Sequence, residues 1–148
     1  TSFANKRMIN PNITLDILNE SSKNSMVEHL GIIYTEIGPE SITAKMPVDH
    51  RTHQPLGLLH GGASVALAET LGSVAASFSV DHEIYNCVGI EINANHVRSV
   101  TNGWVIGTAK PLHLGKSTQI WQIIINNESG ELVCISRLTL AVIKKKIK

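Results

Sequence analysis

The amino-acid sequence predicts an α+β domain in which one antiparallel sheet of five to six strands wraps around one long central helix. Residues 61–80 carry apolar side chains at helical spacing around most of the circumference, which is typical of a buried helix. Two segments with strand character precede this helix and four follow it. Short turns separate the later segments, which predicts that they are antiparallel neighbours.

The chain before the central helix is predicted to hold two short helices and two strands. Residues 14–23 form an amphipathic segment behind Pro11. Ser25 and Glu28 have the spacing of a capping box, and Gly31 ends the second helical turn. The strands cover residues 32–37 and 41–48, and an irregular polar loop covers residues 49–59.

Beyond the central helix the apolar period changes to two, which indicates strands. Residues 88–94 alternate between apolar residues and polar residues or glycine, so we expect the apolar ones to share one face. These apolar residues are Val88, Ile90, Ile92 and Ala94. Further strands are predicted at residues 104–112, 118–126 and 132–143, with a turn at residues 127–130.

Composition excludes several classes of protein. The chain has 148 residues, enough for one domain, and its 13 Lys and Arg nearly balance 12 Asp and Glu. A hydrophobic content of 43% argues against disorder, and two cysteines are too few for a disulfide scaffold. The net charge of +1 argues against bulk nucleic-acid binding. We expect one domain over residues 1–148.

Charge is scarce, and this predicts that a second copy of the chain covers part of the surface. Only 17% of residues are charged, against roughly 25% in typical domains. The segment 52–80 holds one formal charge, Glu69. Residues 120–125 are apolar on both faces of their predicted strand, with Gln122 as the exception.

The sequence carries no signal-like apolar core near its start, and the charge-poor segment is too rich in glycine and hydroxyl groups for a membrane span. We therefore expect a cytoplasmic protein without integral membrane association. Residues 1–12 form an N-terminal extension, and residues 144–148 form a basic tail. The tail is either solvated or drawn to acidic lipids.

Glu69 stands out in the middle of the central helix. A buried carboxylate without partners is costly, and a desolvated one has a raised pKa and is a better base. Ser73 and Ser77 follow at i+4 and i+8 and share its helix face. Two interpretations are open: a structural carboxylate satisfied by local hydroxyls, or a catalytic base with a polar stripe beside it.

Gly61 and Gly62 open the central helix after His60. A helix N-terminus without covering side chains can bind an anion or a developing oxyanion, but a glycine pair also permits a tight turn. Gln54, in the preceding loop, can bind a carbonyl or a water.

The sequence gives little support for a metal site or for a nucleophilic cysteine. His50, His53 and His60 lack a recognised zinc spacing, so we expect no metal. Cys87 and Cys134 lie in strand-like segments, where we expect them to be buried and inert.

Several stretches together resemble hotdog-fold acyl-CoA thioesterases. They are MPVD at 46–49, QPLGLLHGG at 54–62, Glu69, EINANHVR at 91–98, PLHLG at 111–115, WQI at 121–123 and SRL at 136–138. The resemblance runs from residue 25 to residue 143. It is greatest to small bacterial enzymes that hydrolyse aromatic acyl-CoA, such as 1,4-dihydroxy-2-naphthoyl-CoA in menaquinone biosynthesis, and to the enterobactin proofreading thioesterases.

The resemblance implies the roles of particular residues. Glu69 is the general base or nucleophile, and the Gly61 N–H polarises the thioester carbonyl. Gln54 and His60, from the partner of the chain that supplies Glu69, orient the carbonyl and the water. Ser73 lies beside the thioester. The family further implies a dimer of dimers with active sites at the dimer interface, and no cofactor, since CoA is part of the substrate.

The resemblance also implies a path for the CoA arm. The residues along it are Gly89, His96, Val97, Arg98, Ser99, His113, Leu114, Gly115, Lys116 and Ser117. From the residues themselves, the basic groups are either ligands for phosphate or solvated ends of strands.

Two other functions are weighed against hydrolysis. A hotdog dehydratase acts on hydroxyacyl thioesters with a histidine and an acid, but its characteristic opening differs from His53-Gln54-Pro55 here. A non-catalytic acyl-CoA sensor has little reason to keep a polar stripe such as Glu69 and Ser73 on a buried helix.

The pocket for the acyl group is predicted from small apolar residues of the central helix. We expect the acyl group to lie near Val74 and Phe78.

Overall fold

The structure is a computed structural model that describes residues 8–147, and the fold over this range is α+β as predicted. The helices are α1 (Leu15–Ser21), α2 (Met26–His29) and α3 (Gly61–Ser77). The strands are β1 (Ile33–Ile37), β2 (Ile42–Pro47), β3 (Tyr85–His96), β4 (Trp104–Leu114), β5 (Thr118–Asn127) and β6 (Leu132–Lys144). Residues 1–7 of the expected extension and Lys148 of the tail lie outside the described residues.

The six strands form one antiparallel sheet in the order β1-β2-β4-β5-β6-β3. The short turns place β4, β5 and β6 side by side as expected. The expectation that all later strands are neighbours in sequence is wrong for β3, which pairs along its length with β6 and forms an edge of the sheet. This position of β3 decides the geometry of the site.

Helix α3 packs against one face of the sheet, and its buried residues lie along the side that meets the sheet. The other side is only partly buried within one chain, so the helix is less enclosed than its apolar circumference predicted. Leu67, Ala68 and Leu71 are fully buried, and they pack with Trp121 and Ile123 of β5 in the core. The helix ends at Ser77, three residues earlier than predicted, and Phe78 caps it through its N–H to the Val74 carbonyl. Glu69, Ser73 and Ser77 lie on the partly exposed side of α3, whereas Ser64 is buried.

The end of the N-terminal extension belongs to the core, which the sequence did not indicate. The side chain of Ile9 is fully buried, and its N–H donates to the Pro39 carbonyl at 2.9 Å. The N–H of Asn10 donates to the Phe78 carbonyl at 2.8 Å. These hydrogen bonds connect residues 9 and 10 to the turn before β2 and to the C-terminal end of α3.

Candidate active site

Glu69 is half-buried on α3, two turns from the helix start, and faces a cleft of about 500 Å³ between α3 and β3. We call this space the carboxylate cleft. Its lining is mostly apolar and consists of Gly62, Val65, Ala66, Glu69, Gly89, Ile90, Glu91 and Ile92. The residues Gly62, Val65, Ala66 and Glu69 share one face because they are three or four positions apart on a helix.

The surroundings of Glu69 favour a base. Burial raises the pKa of Glu69, and the Ser73 hydroxyl one turn away partly offsets this by stabilising the charged form. The Ser77 hydroxyl instead donates to the Ser73 carbonyl at 2.8 Å, so it is a structural group of the helix. The polar stripe predicted from sequence is therefore Glu69 with Ser73.

A β-bulge in β3 brings Gly89 to Glu69. The register with β6 shifts between Gly89 and Glu91, and Ile90 lies in the bulge. The expected common face of Val88, Ile90, Ile92 and Ala94 is therefore wrong. Ile92 and Ala94 pack against the core, whereas Val88 and Ile90 are 46% and 63% exposed. The resemblance to the family implies that Gly89 lies along the CoA arm, and in the structure this residue lies against the Glu69 carboxylate.

Among the described residues, the first turn of α3 has one amide N–H without an acceptor. His60 is the N-cap: its Nδ1 accepts from the Gly62 N–H at 2.7 Å, and its carbonyl accepts from the N–H groups of Ala63 and Ser64. The N–H of Gly61 has no acceptor among residues 8–147. A free N–H at the positive end of a helix dipole suits a developing oxyanion.

Gly61 faces a second space, which we call the amide cleft, of about 430 Å³. It brings together several predicted site residues, and its lining is Gln54, Leu58, Leu59, Gly61, Ser64, His96, Val97, Arg98, Ser99 and Val133. A Cβ on Gly61 would lie 3.0 Å from His96 Nε2, so the end of β3 closely approaches the helix start. Arg98 is paired with Glu131 at 3.2 Å.

The loop that carries Gln54 is anchored at both ends. The Thr52 hydroxyl is buried and donates to the Pro47 carbonyl at 2.6 Å. The Gln54 N–H donates to the Leu58 carbonyl at 2.7 Å, and the Gln54 Oε1 accepts from the Leu56 N–H. His53 Nε2 lies 2.9 Å from the Thr101 carbonyl, which ties the loop to the segment after β3.

Within one chain the two clefts are separate. Gly61 and Glu69 are eight residues apart, which on an α-helix is about 12 Å along the axis and about 80° around it. Glu69 and Gly89 line the carboxylate cleft, whereas Gly61 and Gln54 line the amide cleft. A thioester carbonyl bound at Gly61 therefore does not reach Glu69 of the same chain.

The two segments expected along the CoA arm also lie apart. Residues 96–99 line the amide cleft, at the end of β3 nearest the start of α3. Gly115 and Lys116 instead line a cleft of about 460 Å³ with Tyr85, at the opposite end of β3. The twelve residues of β3 separate these places by about 35 Å. His113 and Leu114 end β4, and Ser117 follows in the same turn.

The remaining reactive groups are structural. Cys134 is buried as expected, whereas Cys87 is only half-buried. Burial raises the pKa of both thiols, which favours their protonated form. No group of three or more His, Cys, Asp or Glu within residues 8–147 is placed to hold a metal ion. In the same range, no helix combines the length and apolar character needed to cross a membrane.

Comparison with known proteins assigns the chain to a family. The model of the Thioesterase superfamily matches residues 56–134, which include the start of α3, Glu69 and the bulge of β3. The chain belongs to this superfamily and is a thioesterase with the hotdog fold.

Particular relatives share most of the chain. The proofreading thioesterase EntH of Cronobacter sakazakii is 53% identical over 131 residues, covering 88% of this chain and 95% of that protein. A Vibrio cholerae protein described as an esterase is 67% identical over 133 residues, covering 90% of this chain and 88% of that protein. The crystal structure of a mutant thioesterase PA1618 from Pseudomonas aeruginosa has a TM-score of 0.91 at 48% identity, covering 93% of this chain and 99% of that chain.

Sequence reasoning missed the apolar wall beside the carboxylate. Val74 and Phe78, expected near the acyl group, are partly buried against the core and do not line the carboxylate cleft. Val65 and Ala66 line the carboxylate cleft, together with Ile90 from the bulge. Helical spacing from Glu69 could have indicated Val65 and Ala66, but no local signal places Ile90 there.

Proposed function

We propose that the protein hydrolyses acyl-CoA thioesters to the free acid and CoA, with Glu69 as the catalytic carboxylate. The observation that carries this proposal is a half-buried glutamate with a raised pKa in an apolar cleft, beside the Ser73 hydroxyl. Such a group is poised to accept a proton from water or to attack a carbonyl.

The proposed active site is shared between two chains. The free N–H of Gly61 supplies the oxyanion donor and Gln54 supplies a polar partner, both from the amide cleft of one chain. Glu69 comes from the carboxylate cleft of the second chain. The separation of the two clefts within one chain supports this arrangement, since a single carbonyl must meet a donor and a base at about 3 Å.

The proposed reaction balances in either of two forms. In the first, Glu69 takes a proton from water, and the hydroxyl oxygen bonds to the thioester carbon. In the second, a Glu69 oxygen bonds to that carbon to give a mixed anhydride, which water then hydrolyses. In both, the Gly61 N–H stabilises the carbonyl oxygen while the C–S bond breaks, and the CoA thiolate leaves and takes up a proton.

The proposed acyl group is aromatic, as in 1,4-dihydroxy-2-naphthoyl-CoA of menaquinone biosynthesis. The apolar wall formed by Val65, Ala66 and Ile90 suits a flat apolar group beside the carboxylate. An alternative role uses the same hydrolysis to clear wrongly formed aromatic thioesters. The similarity to a protein named as a proofreading thioesterase supports this alternative.

The proposed assembly is a homotetramer built as a dimer of dimers. Strand β3 is an edge strand of twelve residues with exposed Val88 and Ile90, and such an edge readily pairs with a second copy. On the face of the sheet opposite α3, Ile120 and Ile124 of β5 are only partly buried within one chain. We place the enzyme in the cytoplasm, because free cysteines suit a reducing compartment.

A panel of acyl-CoA substrates with free-thiol detection tests this function. We expect release of CoA from aromatic acyl-CoA at a higher kcat/KM than from acetyl-CoA or palmitoyl-CoA. In Glu69→Gln, which keeps the size of the side chain but not the charge, we expect kcat to fall by several orders of magnitude, on the scale of ~10³ to 10⁴. Normal turnover in a folded Glu69→Gln variant contradicts the assignment.

A further inference from the structure

Gly89 is the residue of β3 that meets the Glu69 side chain, and a side chain in its place would displace the Glu69 carboxylate. A Cβ built on Gly89 would overlap Oε1 of Glu69, and it would lie 3.4 Å from the Glu69 carboxyl carbon. The next nearest atom outside Glu69 is Leu138 Cδ1 at 3.5 Å, an ordinary contact distance. The carboxylate, and not the core, is therefore what excludes a side chain at this position.

The bulge sets which residue faces the carboxylate. Because residues on a strand alternate between faces, a regular strand would keep one set of positions toward α3 along its whole length. The extra residue Ile90 resets this alternation, so Gly89 before the bulge and Ile92 after it both face α3. The glycine is thus held opposite Glu69 by the pairing of β3 with β6.

The backbone of Gly89 does not itself require glycine. The positive-φ glycines of residues 8–147 are Gly31, Gly57, Gly103 and Gly130, and Gly89 is not among them. An L-residue could adopt its conformation, so the close approach to Glu69 is the remaining reason for glycine.

We propose that Gly89 is a positioning residue for catalysis: its missing side chain lets the Glu69 carboxylate extend across the cleft against β3 into its working position. This inference rests on the proposed role of Glu69. It assigns Gly89 to the base instead of to the CoA arm, and it makes the bulge of β3 a part of the active-site architecture.

The test measures kcat and KM for Gly89→Ala, with Gly107→Ala as the matched control. Gly107 faces α3 from β4, and a Cβ there would lie 2.8 Å from Leu71 Cδ1, so it shares the close approach without touching a carboxylate. We expect kcat of Gly89→Ala to fall by about 100-fold with KM little changed, the scale of a misplaced catalytic group. We expect Gly107→Ala to lower thermal stability while its kcat stays near that of the unmodified enzyme.

A second pair of variants separates positioning from a general structural role. Glu69→Asp withdraws the carboxylate by one methylene and makes room for the added methyl group. We therefore expect Gly89→Ala to lower kcat much less in the Glu69→Asp background than in the unmodified enzyme. An equal loss in both backgrounds overturns the inference, and so does a Gly89→Ala enzyme with unchanged kcat.

Failure to fold has its own control. If Gly89→Ala does not accumulate as folded protein, the double variant Gly89→Ala with Glu69→Ala should fold as well as Glu69→Ala alone, because the overlap is gone. Misfolding of that double variant overturns the inference. Full turnover in Glu69→Gln would contradict the proposed function. If Glu69→Gln is inactive and Gly89→Ala is fully active, only the role of Gly89 is contradicted.

Discussion

At the scale of single residues, the proposed chemistry depends on two groups of α3: the Glu69 carboxylate and the Gly61 N–H. The sequence pointed to both, because a lone carboxylate on a charge-poor helix and a glycine pair at its start are visible without coordinates. It left open whether either group was free to react. The structure adds that Glu69 faces an apolar cleft and that His60 takes up the neighbouring amides, leaving that of Gly61.

The pH dependence of turnover should report the environment of Glu69. In the proposed mechanism the charged form of Glu69 is the active one. We therefore expect kcat to fall as the pH drops through the pKa of Glu69, which burial raises above its ordinary value of 4.5. Ser73 stabilises the charged form. In Ser73→Ala we therefore expect the acidic limb of the kcat profile to move to higher pH. A limb that stays in place or moves to lower pH contradicts this role.

The Gly61 amide can be removed without removing the helix start. Proline is well tolerated at the first helical position, and His60 already has the extended backbone that must precede proline. We expect Gly61→Pro to lower kcat by about 10² to 10³, as for loss of one oxyanion donor. Gly61→Ala keeps the N–H and meets the same His96 side chain, so it is the control. Equal activity of the two variants would argue against a role of the Gly61 N–H in catalysis.

At the scale of elements, the sequence predicted each helix and strand within about three residues, because hydrophobic periodicity is a local signal. The pairing of β3 with β6 and the bulge at Ile90 could not be predicted, since both depend on contacts between residues 38 to 59 positions apart in the sequence. The burial of Ile9 was missed for the same reason. These long-range features determine where Gly89 and the edge of the sheet lie.

The loop before α3 depends on a buried hydroxyl. Thr52 Oγ1 donates to the Pro47 carbonyl and accepts from the Asp49 N–H. Thr52→Val keeps nearly the same side-chain shape, but the Pro47 carbonyl and the Asp49 N–H each lose a hydrogen bond. We therefore expect the free energy of unfolding to fall by about 1–3 kcal/mol. Thr35→Val is the control, because Thr35 is exposed and its bond to the Thr43 carbonyl is 3.5 Å long. Similar urea midpoints for the two variants contradict this account of the loop.

At the scale of the whole molecule, the charge-poor composition and the geometry of the clefts lead to the same conclusion. Charge is scarce in the segment 52–80 that holds α3, Val88 and Ile90 are exposed on the edge strand β3, and the two halves of the proposed site lie in separate clefts. The proposed second copy of the chain would account for all three. Composition alone could suggest an oligomer, but it gave no reason to propose a site shared between two chains.

The central claim is that Glu69 of one chain works with Gly61 of another. Mixing inactive Gly61→Pro with inactive Glu69→Gln and exchanging the subunits tests it most directly. If each site is shared within a symmetric dimer, half of the dimers are mixed and each holds one intact site, so activity recovers to about a quarter of the unmodified enzyme. Exchange is verified by mass spectrometry on differently labelled chains. Verified exchange without recovery would place the complete site within one chain and contradict the account.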